Sequence, residues 1–276
     1  MRLSAELGIL FLVVATTLPL KAQEKADSLS PRLLPSEHLV HDFVADGLAH
    51  RFTATRLLSP HEVCVGTGGI LPLVEYVLWD LPVQISSGAS IQARLDPGQG
   101  IAVLSTEFSV DFFLLDIELA DGLIIRTGMG HASHHLGDGA AKDSTRQPID
   151  YSRDDVQLFI IHPSAFLCGQ LYAGLRYNYA LVIGQPVRKP LSFQIGIHAL
   201  PWSLSPELSV YVGWDVKLQQ ELSYGNSQRY EGGLQYKTAE GRILRIAVSY
   251  SAGYDERGQF FGKRRSEAGM GIVVSL

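Results

Sequence analysis

Residues 122–136 read Gly-Leu-Ile-Ile-Arg-Thr-Gly-Met-Gly-His-Ala-Ser-His-His-Leu, and the run closes on Gly137-Asp138. Its side chains alternate with a period of two, so it reads as an extended strand. Leu123, Ile125, Thr127, Met129, His131, Ser133 and His135 share one face. Ile124, Arg126, Gly128, Gly130, Ala132 and His134 share the other. His131 and Ser133 therefore continue the apolar face, opposite Arg126. In a soluble sandwich that face is core. In a transmembrane barrel it faces lipid.

The same alternation recurs along the chain from Ser86 onward. Glu207–Leu218 sets Ser209, Tyr211, Asp215 and Lys217 against Val210, Val212, Trp214 and Val216. Arg242–Ala252 sets Arg245, Ser249 and Ser251 against Leu244, Ile246, Val248 and Tyr250. Ala102–Leu114 reads in one phase, with Ser105, Glu107, Ser109 and Asp111 polar and Leu104, Phe108, Val110 and Phe112 apolar. Between the runs, short turns such as 120–122, 163–165, 203–206 and 238–241 alternate with longer loops at 137–153, 183–190, 221–228 and 253–264. Tyr177, Tyr179, Trp214, Tyr236 and Tyr250 sit near the ends of apolar faces. Long loops at one end, short turns at the other and aromatic girdles are the pattern of an all-β, up-and-down antiparallel transmembrane β-barrel. Ten strands follow Ser86, or twelve if residues 60–85 pair as well. A soluble periplasmic β-sandwich is the alternative fold.

Arg2, the apolar stretch Leu7–Leu20 and Ala22 predict a cleaved export signal over 1–22, hence the Gram-negative outer membrane as destination. Residues 23–59 lack periodicity and predict a periplasmic N-terminal arm, leaving 60–276 as the barrel. Removing the signal takes away Arg2, Lys21 and Glu6, which moves the net charge from −5 to −6. That acidity argues against nucleic acid as a partner. Membrane lipid or lipopolysaccharide is the expected partner, any small-molecule ligand is unspecified, and no cofactor is called for. Cys64 and Cys168 are free to pair or not in an oxidising compartment. The inward face carries Glu107, Asp111, Arg126, Arg176, Asp215, Lys217, Arg229, Glu231, Arg245 and Glu267. Buried charges must be paired, so the interior is expected to be ion-paired and closed.

The loop alternation places His131–Asp138 at the outer rim, where polar groups on the lipid face cost little. On a strand, His131 and Ser133 lie about 7 Å apart by rise, within reach of a base and a nucleophile. The orienting acid is one of Asp138, Asp143, Asp150 or Asp154, among which the residues do not choose. Zinc ligation by His131, His135 and Asp138 is not expected, since i and i+4 on a strand lie about 13 Å apart. Rim histidines that only shape an outer loop are the other outcome, and a non-enzymatic envelope protein, structural or ligand-binding, is the leading expectation.

The pair His131-x-Ser133 resembles the active-site strand of outer-membrane phospholipase A and of lipid A deacylase. That resemblance implies a lipid esterase with Ser133 as nucleophile and His131 as base. Both families follow the Ser with Asn, where this chain has His134. Both carry a polar triad member about a dozen residues on, an offset that lands on Thr145 with Asp143 nearby, so Asp143 is the implied partner. The longer motif His131-Ala-Ser133-His134-His135-Leu136-Gly137-Asp138 is similar to the hallmark of a bacterial outer-membrane barrel family, His-x-Ser-Ser-His-Leu-Gly-Asp-Glu, and departs from it at His134 and Gly139. Gly258-Gln259-Phe260-Phe261 and the strand from Arg265 match that family's C-terminal pattern.

Overall fold

The computed structural model describes residues 30–119, 122–141, 148–260 and 262–275. The export signal over 1–22, Asp143, Thr145 and Phe261 lie outside them. The described chain is a closed antiparallel barrel of twelve strands: β1 (Phe52–Leu57), β2 (Val63–Leu78), β3 (Leu81–Asp96), β4 (Ala102–Glu118), β5 (Ile124–Leu136), β6 (Tyr151–Ser164), β7 (Gly169–Ile183), β8 (Leu191–Ser203), β9 (Leu208–Gln219), β10 (Gly225–Lys237), β11 (Ile243–Tyr254) and β12 (Arg264–Ser275). Each strand pairs with its neighbours in sequence. Closure runs through β1, which pairs with β12 (Ile272 opposite Ala54) and with β2 (Thr53 opposite Gly66). The larger strand count holds.

The period-two pattern exists because the two faces meet different surroundings. Ile91, Phe108, Leu158, Ile160, Ile195, Ile246, Val248 and Met270 are exposed on the outside. Gln84, Ser90, Arg94, Asp116, Gln157, Gln194, Asp215 and Arg245 are buried inside. An apolar outer wall around a polar interior inverts a soluble domain and suits a barrel set in lipid. Among the described residues, no helix is long and apolar enough to cross a membrane.

Two sequence expectations need correction. The run Ala102–Leu114 does not hold one phase, because β4 carries irregularities opposite Arg94/Leu95 and between Asp111 and Phe113. A bulge inserts a residue and reverses the facing of the strand beyond it, so Leu104 and Leu114 point inward and are buried, at 8% and 1% exposure. The second correction concerns 23–59. Phe52–Leu57 is a barrel strand, and residues 40–51 before it lie in the lumen. Val40 and Phe43 pack on Ile124, Phe159, Ile161 and Tyr172, and Val44 packs on Tyr211, Ala247 and Val273. The apolar residues of this segment need a dry surface, and the inward aromatics of β6, β7 and β9 supply one. Arg32–Leu33 runs beside the wall, pairing with β2 at Glu75 and Val74.

Many of the interior charges are paired, as their mixed signs require, whereas Glu107 is buried with Oε2 lacking a hydrogen-bond partner among the described residues. Arg126 forks onto Asp116 at 2.6 and 2.7 Å. Arg94 bonds Glu267 at 2.7 Å and also contacts Glu62. Many pairs join the wall to the inserted segment: Lys217 to Asp46 at 2.6 Å, Arg245 to Asp42 at 3.1 Å, and Arg51 to Glu231 at 3.5 Å. Side chains and residues 40–51 together occupy much of the lumen. Cys64 and Cys168 are both free thiols.

Candidate functional site

β5 runs toward the end of the barrel that carries the longer loops. Its inward residues Ile124, Arg126, Gly128, Gly130 and His134 are buried, while Ile125, Thr127, Met129, His131 and Ser133 are half-exposed on the outer wall. The parity read from the sequence therefore holds along this strand. His131 stands opposite Val110 on β4 and Asp154 on β6. Ser133 stands opposite Phe108 and Ser152.

The register across β5 and β6 places one of the candidate acids against His131. His131 and Asp154 are direct cross-strand partners, and His131 Nδ1 lies 2.5 Å from Asp154 Oδ1. A carboxylate at that position accepts a hydrogen bond from Nδ1–H, and the tautomer that makes this bond presents Nε2 as an acceptor. Ser133 follows two residues on along the same face of the strand. His131 and Asp154 are about one-third exposed, at 30% and 36%. Around them the outer wall is apolar and aromatic, with Phe108, Phe112, Leu158 and Tyr179 all exposed. Two irregularities flank the pair, between Asp111 and Phe113 on β4 and between Asp154 and Asp155 on β6. Bulges re-aim side chains beside sites of this kind.

The rest of the motif divides by parity. His134 turns inward and is 1% exposed, with its ring edge on Phe260 at 5.8 Å. His135 is exposed, and Leu136 ends the strand. Gly137 donates to Leu104 O at 2.9 Å. A side chain there would run into the Val103 carbonyl, so the close approach of the loop to β4 requires glycine. Asp138 is exposed and opens a single helical turn, Asp138–Ala141, and Asp150 is exposed before β6. Of the acids among the described residues, it is Asp154 that bonds His131.

Asp154 was one of four acids that the sequence left open. Hairpin arithmetic needs the β6 parity, and Leu158-Phe159-Ile160-Ile161 is apolar on both faces, which hides it. The inward faces of Phe159 and Ile161 are dry because the N-terminal segment covers them. The loop between β5 and β6 is also longer than a dozen-residue offset assumes, so the partner lies 23 positions from His131.

Comparison with solved structures places this architecture beside known barrels. Outer membrane phospholipase A from Escherichia coli superposes with a TM-score of 0.53 at 10% identity, over 82% of this chain and 92% of that one. The Salmonella typhi outer membrane phospholipase, solved as a dimer with bound calcium, gives 0.52 at 11% identity, over 92% and 94%. At such identities the likeness establishes a shared fold. No curated protein matches the chain. A family profile described as a protein of unknown function, DUF1207, matches residues 14–275, and the chain belongs to that family.

Proposed function

We propose that this protein is an outer-membrane lipid acyl hydrolase, with Ser133 as nucleophile, His131 as general base and Asp154 as the carboxylate that orients the imidazole. The observation that carries the reading is the 2.5 Å bond from His131 to Asp154, formed on the outer wall and not in the lumen. Rim histidines that merely tolerate the interface have no need of a buttressing carboxylate on the neighbouring strand. The apolar setting of Phe108, Phe112 and Tyr179 fits a substrate whose acyl chains lie along the barrel wall.

The reaction follows from the geometry. Ser133 Oγ attacks an ester carbonyl as its proton passes to His131 Nε2, and the imidazolium is stabilised by Asp154. The tetrahedral adduct collapses, and the departing alcohol of the lysolipid takes the proton from His131. Water, deprotonated by the same nitrogen, then cleaves the acyl-serine to fatty acid and restores Ser133. The export signal expected over 1–22, the loop asymmetry and the fold shared with outer membrane phospholipases support the outer leaflet as the place of action.

The test uses the full-length protein in detergent–phospholipid micelles. A serine-directed fluorophosphonate is expected to label it, and Ser133→Ala to abolish both labelling and fatty-acid release, with a rate loss of at least about 10³-fold. Wild-type protein that neither labels nor releases fatty acid would overturn the proposal in favour of a non-enzymatic envelope role.

A further inference from the structure

Gln259 lies in the loop between β11 and β12, on the wall opposite β5, and it is 9% exposed. Its backbone N–H donates to His134 Nδ1 at 2.7 Å, and its side-chain Nε2 donates to His134 O, also at 2.7 Å. The same carboxamide turns to Ile149: Oε1 accepts from Ile149 N–H at 3.0 Å, and Nε2 also donates to Ile149 O. One side chain thus satisfies backbone groups at the last turn of β5 and at the approach to β6. A carboxamide can do this because it both donates and accepts.

The loop that carries Gln259 is itself anchored. Asp255 takes Arg257 at 2.6 Å and Arg265 at 2.8 Å. Arg257, Arg265 and Lys263 stack around the Phe260 ring at 4.9, 5.4 and 5.8 Å. Gly258 lies against Tyr151, the first residue of β6, so closely that a Cβ would collide with the ring. The loop therefore reaches across the barrel mouth and grips both strands of one hairpin. One carries His131 and Ser133; the other carries Asp154.

We infer that Gln259 is a positioning residue, whose clasp across the mouth holds β5 and β6 in the register that sets His131 against Asp154 and beside Ser133. The inference rests on the hydrolase reading above. It also explains why the motif has a histidine at 134 facing away from the reacting face: its ring and carbonyl are the handles by which the loop holds the strand.

Two measurements on full-length Gln259→Ala and Gln259→Glu, each first shown to fold by heat-modifiable gel mobility, test this. The first is hydrogen exchange over 148–153. Loss of the clasp is expected to speed it by about tenfold, the factor one net hydrogen bond gives. A carboxylate in place of the carboxamide keeps only the acceptor for Ile149 N–H, so Gln259→Glu should fall between wild type and Gln259→Ala. The second is fatty-acid release from phospholipid micelles. A misplaced reacting group is expected to lower kcat on the order of tenfold to 100-fold while KM stays near wild type. Unchanged exchange would overturn the clasp. Faster exchange with unchanged kcat would overturn the positioning role and leave a structural tie. A wild type that releases no fatty acid overturns the hydrolase reading and the positioning role with it, and the exchange arm still reads the clasp.

Discussion

His131 and Asp154 face each other across the β5–β6 ladder, Nδ1 to Oδ1 at 2.5 Å, with both side chains on the outer wall. Asp154 stands outside the lumen, so its removal leaves the barrel's internal pairs intact. Asp154→Ala is expected to lower fatty-acid release by roughly 10³- to 10⁴-fold, because the imidazole loses its tautomer and its orientation. Asp154→Asn, whose amide N–H can donate to Nδ1 and fix the wrong tautomer, should lose activity on the order of 10⁴-fold while the barrel stays folded. Equal rates for wild type and Asp154→Ala would remove Asp154 from the site.

Arg126 and Asp116 form a two-pronged pair inside the wall, with Asp116 fully buried. Arg126→Ala strands that carboxylate and is expected to cost about 3–5 kcal/mol. The double variant Asp116→Leu/Arg126→Leu removes both charges and should recover most of the loss. Urea unfolding in lipid vesicles reads both, and a double variant no better than the single one would contradict the pairing argument.

Phe43 lies flat on Tyr172, ring centroids 3.8 Å apart and 8° from parallel, and also touches Phe159. Phe43→Ala should cost about 3–5 kcal/mol of the packing that keeps the N-terminal segment in the lumen. The readout is ion conductance across planar bilayers. Wild type is expected to stay closed and the variant to open. A wild type that conducts freely would contradict a filled lumen.

Asp42 and Asp46 tie the same segment to the wall, and neither lies on a spanning strand. Burial works to raise the Asp42 carboxyl, but the Arg245 and Arg51 guanidinium groups outweigh it and hold it well below the usual carboxylate range. For Asp46 burial is likewise outweighed, chiefly by the Lys217 ammonium. A carboxyl depressed in the folded state contributes stability above its unfolded value, about 3.9, and loses it as pH falls further. Stability is therefore expected to be level from neutrality to about pH 5 and to drop below about pH 4. Asp42→Asn/Asp46→Asn should be less stable at neutrality and less sensitive through that acid window. Parallel pH profiles for the two proteins would refute the assignment.

The barrel was legible because alternation on β5, β9 and β11 reports two solvents, one on each face, and periodicity needs no long-range information. It failed where that report was ambiguous. A bulge at Phe112 changed the phase of β4 midway, and a one-residue insertion has no signature in an already apolar run. Residues 37–51 read as a periplasmic arm because they have no period, yet Val40, Phe43 and Val44 bind inside. Only the assembled wall creates the dry surface that takes them.

At the candidate site, sequence alone determined that His131 and Ser133 share the outward face near one rim, since parity along a single strand follows from backbone geometry. Tertiary structure decided the rest. Which acid meets His131 depends on the register between two strands joined by a long loop, and which residue holds that register depends on a loop from the opposite wall. Pairing of β5 with β6 brings Asp154 to His131, and closure of the barrel brings Gln259 to His134.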